Sequence, residues 1–154
     1  MKKIIALTLV VLSLVSTALA VVPVKVIIGN KTIVTPTGDV QAQIINNRSM
    51  VPMRACFESL GATVEYIPTS KTVVATKGPQ VIVLKIGSMD MTVSNMDTGE
   101  SKTIKLDVAP CMITAADKQY GARTMVPLRA ISESLDMQVD WDGVNYIATV
   151  KSKK

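Results

Sequence analysis

Thirteen residues beginning at Arg48, RSMVPMRACFESL, return at Arg123 as RTMVPLRAISESL, and 123 − 48 = 75 sets the offset between the copies. A segment written twice carries the same local folding instructions twice, so it is expected to build the same supersecondary unit twice. From Arg48 to Tyr66 against Arg123 to Trp141 about half the positions are identical. They include Arg48/Arg123, Met50/Met125, Val51/Val126, Pro52/Pro127, Arg54/Arg129, Glu58/Glu133, Leu60/Leu135 and Val64/Val139. The swaps Glu65/Asp140 and Tyr66/Trp141 extend the match. The expectation is an internal duplication with repeats over about 24–76 and 80–150.

Each copy reads as a strand, SMV or TMV, running into a helix of two to three turns. Pro52 and Pro127 are placed at the first helical position, where a missing N–H costs nothing. Met53, Cys56 and Leu60, matched by Leu128, Ile131 and Leu135, follow an i, i+3, i+7 spacing that gathers them on one face. Gly61 suits the left-handed position just past the first helix, whereas Asp136 stands there after the second. Alternating strands follow at TVEYI and QVDW, then TVVAT and YIATV, and VIVLKIGSMDMTV and SKTIKL add more. Upstream, VKVIIGNKTIV predicts a hairpin about Gly29 and Asn30. The fold class is α+β, mostly antiparallel β-sheet packed around two short helices. No stretch rich in Gly, Pro or Ser divides it, so residues 21–154 are expected to form a single domain.

The start of the chain stands apart. Lys2 and Lys3 precede IIALTLVVLSLV, and the run ends in STALA with Ala18 and Ala20 where signal peptidase requires small residues. Residues 1–20 are therefore expected to be a secretory signal peptide cleaved between Ala20 and Val21, leaving no membrane association afterwards. Ser13, Ser16, Thr17 and Pro23 interrupt the apolar run, which argues against a lasting anchor. Without Lys2 and Lys3 the formal charge is 15 − 12 = +3. Three of the positive charges sit in the tail KSKK, so the body is nearly neutral and has no basic stripe for nucleic acid. In an exported chain Cys56 and Cys111 can pair as a disulfide or serve as small buried apolar residues, and both options stay open.

Candidate chemistry is sparse. The chain has no histidine, which excludes a His-dependent triad and any site needing imidazole ligands. Asp97-Thr98-Gly99 has the letters of an aspartic protease triplet, but its polar flanks SNM and ES make it a solvated turn. Methionines in MVPM at Met50 and MDM at Met89 read as apolar filler rather than thioether ligands. A carboxylate-only hydrolase would need two acids facing each other across a cleft, and none are placed for it. Arg54 and Glu58, repeated as Arg129 and Glu133, lie one helical turn apart and can pair. They read as a structural motif with Pro52 and Pro127, the guanidinium tying loop carbonyls to the start of each helix.

MVPMRACFESLGATVEY, MVPLRAISESLDMQVDW, LKIGSMDMTV and VIIGNKTIV together resemble the copper amine oxidase N-terminal domain, or stalk domain, over essentially all of residues 21–154. The resemblance implies sheet wrapped around helix in an exported bacterial protein, with oxidase chemistry confined to a separate catalytic domain. Asp136, where the family tends to have glycine, and an insertion near TAADKQY depart from its pattern. The oxidase's quinone-forming Asn-Tyr-x-Asp/Glu stretch is not matched by NYIA at Asn145, which lacks the acid, and no histidine is present to hold copper. The expected function is a secreted, non-catalytic module without cofactor or metal, acting as an extracellular or cell-envelope interaction or spacer domain. Its partner would be a protein or the cell wall, and homo-oligomerisation is left open. The alternatives are an accessory or inhibitor-like partner of an exported enzyme, and a binder of wall polysaccharide. Trp141 and Tyr66 occupy equivalent positions of the two copies and are expected to be packed, whereas the last alternative would require them to be exposed on a shared face.

Overall fold

The computed structural model describes residues 21–153, so the expected signal peptide lies outside the described residues. In chain order the strands are β1 (Lys25–Ile28), β2 (Lys31–Ile33), β3 (Gln43–Ile45), β4 (Arg48–Pro52), β5 (Thr63–Ile67), β6 (Thr72–Lys77) and β7 (Gln80–Lys85). They continue as β8 (Asp90–Asn95), β9 (Ser101–Lys105), β10 (Cys111–Thr114), β11 (Ala122–Pro127), β12 (Met137–Asp142) and β13 (Ile147–Ser152). Helix α1 (Met53–Ser59) follows β4, and α2 (Leu128–Ser134) follows β11.

The two motif copies meet at the centre of one sheet, ordered β10-β11-β4-β3. Here β4 and β11 run antiparallel with Val51 opposite Val126, Met50 opposite Pro127 and Pro52 opposite Met125. That register relates the copies by a local two-fold through Val51 and Val126. Alternation along each strand then separates two cores. Met50 and Met125 point into a small cluster with Val40, Val108 and Ala115. Val51 and Val126 point the other way, into the main core.

That main core is closed by both helices and the other two sheets. Strands β5-β6-β7-β8-β9 form an antiparallel meander that supplies Val73, Ala75, Ile82, Leu84, Met91 and Val93. The third sheet, β12-β13-β1-β2, brings the ends of the described chain together through a parallel β1–β13 pairing, Lys25 opposite Ile147 to Ile28 opposite Val150. The mostly antiparallel expectation holds with this one exception among the described strands. The predicted hairpin is β1–β2, turning at Gly29 with φ +59°. Helix α1 buries Met53 and Cys56 with Leu60 behind them, and α2 buries Leu128 and Ile131 with Leu135, as their spacing predicts; Phe57, outside that spacing, is fully buried as well. Full burial of one such large apolar side chain contributes about 1.5–3 kcal/mol.

Two details differ from the sequence reading. Pro52 and Pro127 end their strands and precede the helices, with ψ of 120° and 113°, rather than occupying the first helical turn. A ring that fixes φ near the extended region suits this corner as well as it suits a helix start. Strands β3 and β10 were not anticipated and flank β4 and β11. Chain reversal between β3 and β4 uses Asn46 and Asn47, with φ of +48° and +60°, in the two-residue turn that asparagine tolerates. The end of α1 matches expectation. Gly61, at φ +78°, donates its N–H to the Glu58 carbonyl at 3.0 Å, and Ala62 donates to the Phe57 carbonyl at 2.9 Å, a Schellman closure. Asp136 takes the same left-handed position after α2, at φ +59°.

Candidate functional site

The side chains that fasten the two halves are strand arginines, not helix arginines. From β11, Arg123 donates from Nε and Nη2 to Asp39 Oδ2 at 3.2 and 2.9 Å. Asp39 Oδ1 also accepts the Val40 N–H at 2.7 Å, and the aspartate side chain is only 7% exposed. The Arg123 guanidinium lies 5.9 Å over the Tyr120 ring. From β4, Arg48 donates from Nε to Asp107 Oδ2 at 2.7 Å and from Nη1 to the Asn47 carbonyl at 3.1 Å. Each motif arginine thus holds an aspartate that leads toward the outer strand beside the other copy: Asp39 stands ahead of β3 and Asp107 ahead of β10. The local signal for both is the dipeptide Asp-Val, at Asp39-Val40 and Asp107-Val108. The valines of both dipeptides are buried in the small cluster.

The helix pairs behave otherwise. Arg54 Nε stands 4.0 Å from Glu58 Oε1 with both side chains mostly exposed. Among the described residues Arg129 and Glu133 form no ion pair, and neither Arg54 nor Arg129 donates a side-chain hydrogen bond to a loop carbonyl. The expected tie between guanidinium and helix start is therefore not made. The two-turn helices carry these arginines on their solvent side, while Arg48 and Arg123, within the central sheet, have the loop aspartates in reach.

What Arg54 and Arg129 do is line grooves. One groove, of about 340 Å³, is walled by Asn47, Arg48, Ser49, Arg129, Trp141 and Tyr146, with Pro127 and Leu128 at its floor. The other, of about 430 Å³, has the motif-aligned residues Arg123, Pro52, Met53, Arg54 and Tyr66. Each is formed by the strand arginine of one copy and the strand-to-helix corner of the other. Their surfaces differ. Tyr66 is half-buried against the main core. Trp141 and Tyr146 are 40% and 42% exposed and meet edge to face, with centroids 6.0 Å apart at 77°. In the second groove Arg54 faces Glu58, and Arg123 is engaged by Asp39 and Tyr120. In the first, Arg129 has no side-chain partner among the described residues, and none of the lining residues is acidic.

The remaining candidates are scattered. Burial pushes the Cys56 thiol up to about 12, and it sits in the main core. Cys111, half-buried against the small cluster, is also raised by burial. Both thiols are free. Asp97-Thr98-Gly99 forms a turn in which Asn95 Oδ1 accepts the N–H groups of Asp97 and Thr98. Met91 is fully buried while Met89 is 43% exposed, so that pair does not converge. Among the described residues no group of three or more His, Cys, Asp or Glu side chains is placed to hold a metal. None of the described helices is long and apolar enough to cross a membrane. Beside the first groove, hydrogen bonds from Lys151 and Gln138 hold the Asp140 carboxyl below its ordinary range. Hydrogen bonds from the Asn145 side chain and from the Asn145 and Val144 backbone do the same for Asp142.

These features define a β-rich α+β module whose two helices lie among mostly antiparallel sheets, with recesses lined by arginine and aromatic side chains. The family model of the copper amine oxidase N-terminal domain matches residues 26–150, and the chain belongs to that family. Comparison with curated proteins and with solved structures returns no match.

Proposed function

We propose that the chain is an exported, non-catalytic module of the stalk type, built by internal duplication, that acts as an interaction or spacer element outside the cell or in its envelope. The observation that carries the recognition part of this reading is the groove of Trp141, Tyr146 and Arg129. Trp, Tyr and Arg are the side chains enriched at recognition surfaces, and here two part-exposed aromatics stand beside a guanidinium that no side chain engages among the described residues. Export rests on the charged start, apolar run and Ala18/Ala20 exit of residues 1–20. The absence of histidine supports a role without imidazole-based catalysis. Exposure of Trp141 favours the polysaccharide variant of the reading over the inhibitor-like one, although Tyr66 does not share it.

Expression of the full chain tests the reading. The expected product is a protein starting at Val21, found outside the cytoplasm and co-sedimenting saturably with isolated cell envelopes. A protein retaining Lys2 and Lys3 inside the cell, or one that ignores envelopes, would contradict it.

A further inference from the structure

Resting on the interaction reading above, we infer that the Trp141 groove is a binding site for a carboxylate-bearing saccharide. Three independent properties of the groove point to that class. Trp141 and Tyr146, each about two-fifths exposed and set edge to face, offer flat apolar surface to a ligand's C–H face. Arg129 is exposed and without a side-chain partner among the described residues; the Trp141 groove that it lines contains no acid, and the adjoining recess that it also borders has Asp107 and Glu133 balanced by Lys102 and Lys105. Arg48, at the same groove, is charge-compensated by Asp107 and donates to the Asn47 carbonyl, so Arg129 is the guanidinium whose fork of donors is left for a planar carboxylate. The Asn47 amide and Ser49 hydroxyl make no side-chain hydrogen bonds among the described residues and suit sugar hydroxyls.

The companion groove works as an internal comparison. If the lining were only scaffold copied with its repeat, the two grooves would offer the same surfaces. Instead the second is lined by the packed Tyr66 and by the acids Asp39 and Glu58, and Lys71, which aligns with Tyr146 in sequence, is not part of its lining. Both of those turn residues have φ +53°, so the backbone conformation is the same while one side chain is a cation and the other an aromatic. The turn itself is held by Asp142, whose Oδ1 accepts the N–H groups of Val144 and Asn145 at 2.9 and 3.1 Å. That turn leads directly to Tyr146 and fixes its approach to Trp141.

Trp141 is the single tryptophan of the chain, so its fluorescence reports this groove without labelling. Two acidic saccharides serve as probes, oligogalacturonate and a hyaluronan oligosaccharide, each beside its methyl ester, with polyglutamate as a carboxylate polymer lacking sugar. The expected result is saturable change with at least one acidic saccharide, binding at least tenfold weaker for its ester, and no comparable response to polyglutamate. Arg129→Gln and Tyr146→Ala should each weaken binding at least tenfold, while Arg54→Gln in the companion groove leaves it unchanged. Melting temperatures of the same samples identify a variant that fails by unfolding. Should Tyr146→Ala unfold, Arg129→Gln on the exposed helix face still decides. Equal binding of ester and acid, an equal response to polyglutamate, or no response to either saccharide would each overturn the inference. Envelope co-sedimentation separates the two levels. Wild-type protein that sediments with envelopes but ignores both saccharides refutes this ligand class alone, whereas loss of sedimentation as well refutes the interaction reading.

Discussion

Replacing Arg123 by alanine should reveal how the two halves are held. The substitution removes two guanidinium hydrogen bonds from a carboxylate that is 7% exposed, leaving Asp39 with only the Val40 N–H. A hydrogen bond to a charged group contributes about 1.5–3 kcal/mol, and stranding one member of a fully buried pair costs about 3–5 kcal/mol. Arg123 is itself 38% exposed, so water reaches the gap and the lower figures apply. The expected loss is about 2 kcal/mol, or about 8 °C in melting temperature for a domain of this size. Arg48→Ala is the matched control, because its pair with Asp107 is 46% and 67% exposed and should contribute less than about 1 kcal/mol. Thermal and urea unfolding, each at low and high salt, measure the two variants. The Arg123 effect should persist in about 1 M salt and the Arg48 effect should fade. In an Asp39→Ala background the Arg123→Ala loss should shrink, since the stranded charge is gone. Equal losses at the two arginines, or an Arg123 loss that salt abolishes, would refute the burial argument.

Other perturbations follow from the same geometry. Asp136→Gly should raise stability by about 0.5–1 kcal/mol in urea unfolding by relieving the left-handed conformation after α2. Native protein treated with a thiol alkylator near pH 8 should label at Cys111 and spare Cys56 until denaturant is added, as read by peptide mass spectrometry. Asp140 and Asp142 have carboxyls depressed in the folded state, so their contribution is present above the unfolded carboxylate range and disappears as pH falls through the folded values. The melting-temperature gap between wild type and Asp142→Ala should therefore narrow as pH is lowered from about 4. Gly38→Ala should lower the melting temperature, because φ is +88° and an added Cβ would lie 2.8 Å from Asp117 Cβ, beside the loop that presents Asp39.

Local pattern carried the helices, the Gly61 closure, the β1–β2 turn and the β5–β6 and β12–β13 hairpins, because each depends on residues close in sequence. It did not carry β3 and β10. QII and CMIT are too short to show alternation, and their pairing is set by strands β4 and β11 once these have met. The misplaced role of Arg54 and Arg129 has the same origin. An i, i+4 spacing to Glu58 and Glu133 is visible in the sequence, whereas the partners of Arg123 and Arg48 lie 84 and 59 residues away. Trp141 was expected to be packed because Tyr66 aligns with it. Trp141 instead meets Tyr146 edge to face, a residue of the following turn where the first copy has Lys71. The aligned partner therefore carried no information about it.

Whether the Trp141 groove is a site or a piece of scaffold is decided most directly by measuring affinity and melting temperature together on Arg129→Gln, with isolated envelopes and the acidic saccharides as ligands. A variant that melts like wild type and loses binding at least tenfold is the predicted outcome. A variant that keeps full binding while melting several degrees lower would return Arg129 to the scaffold and contradict the account.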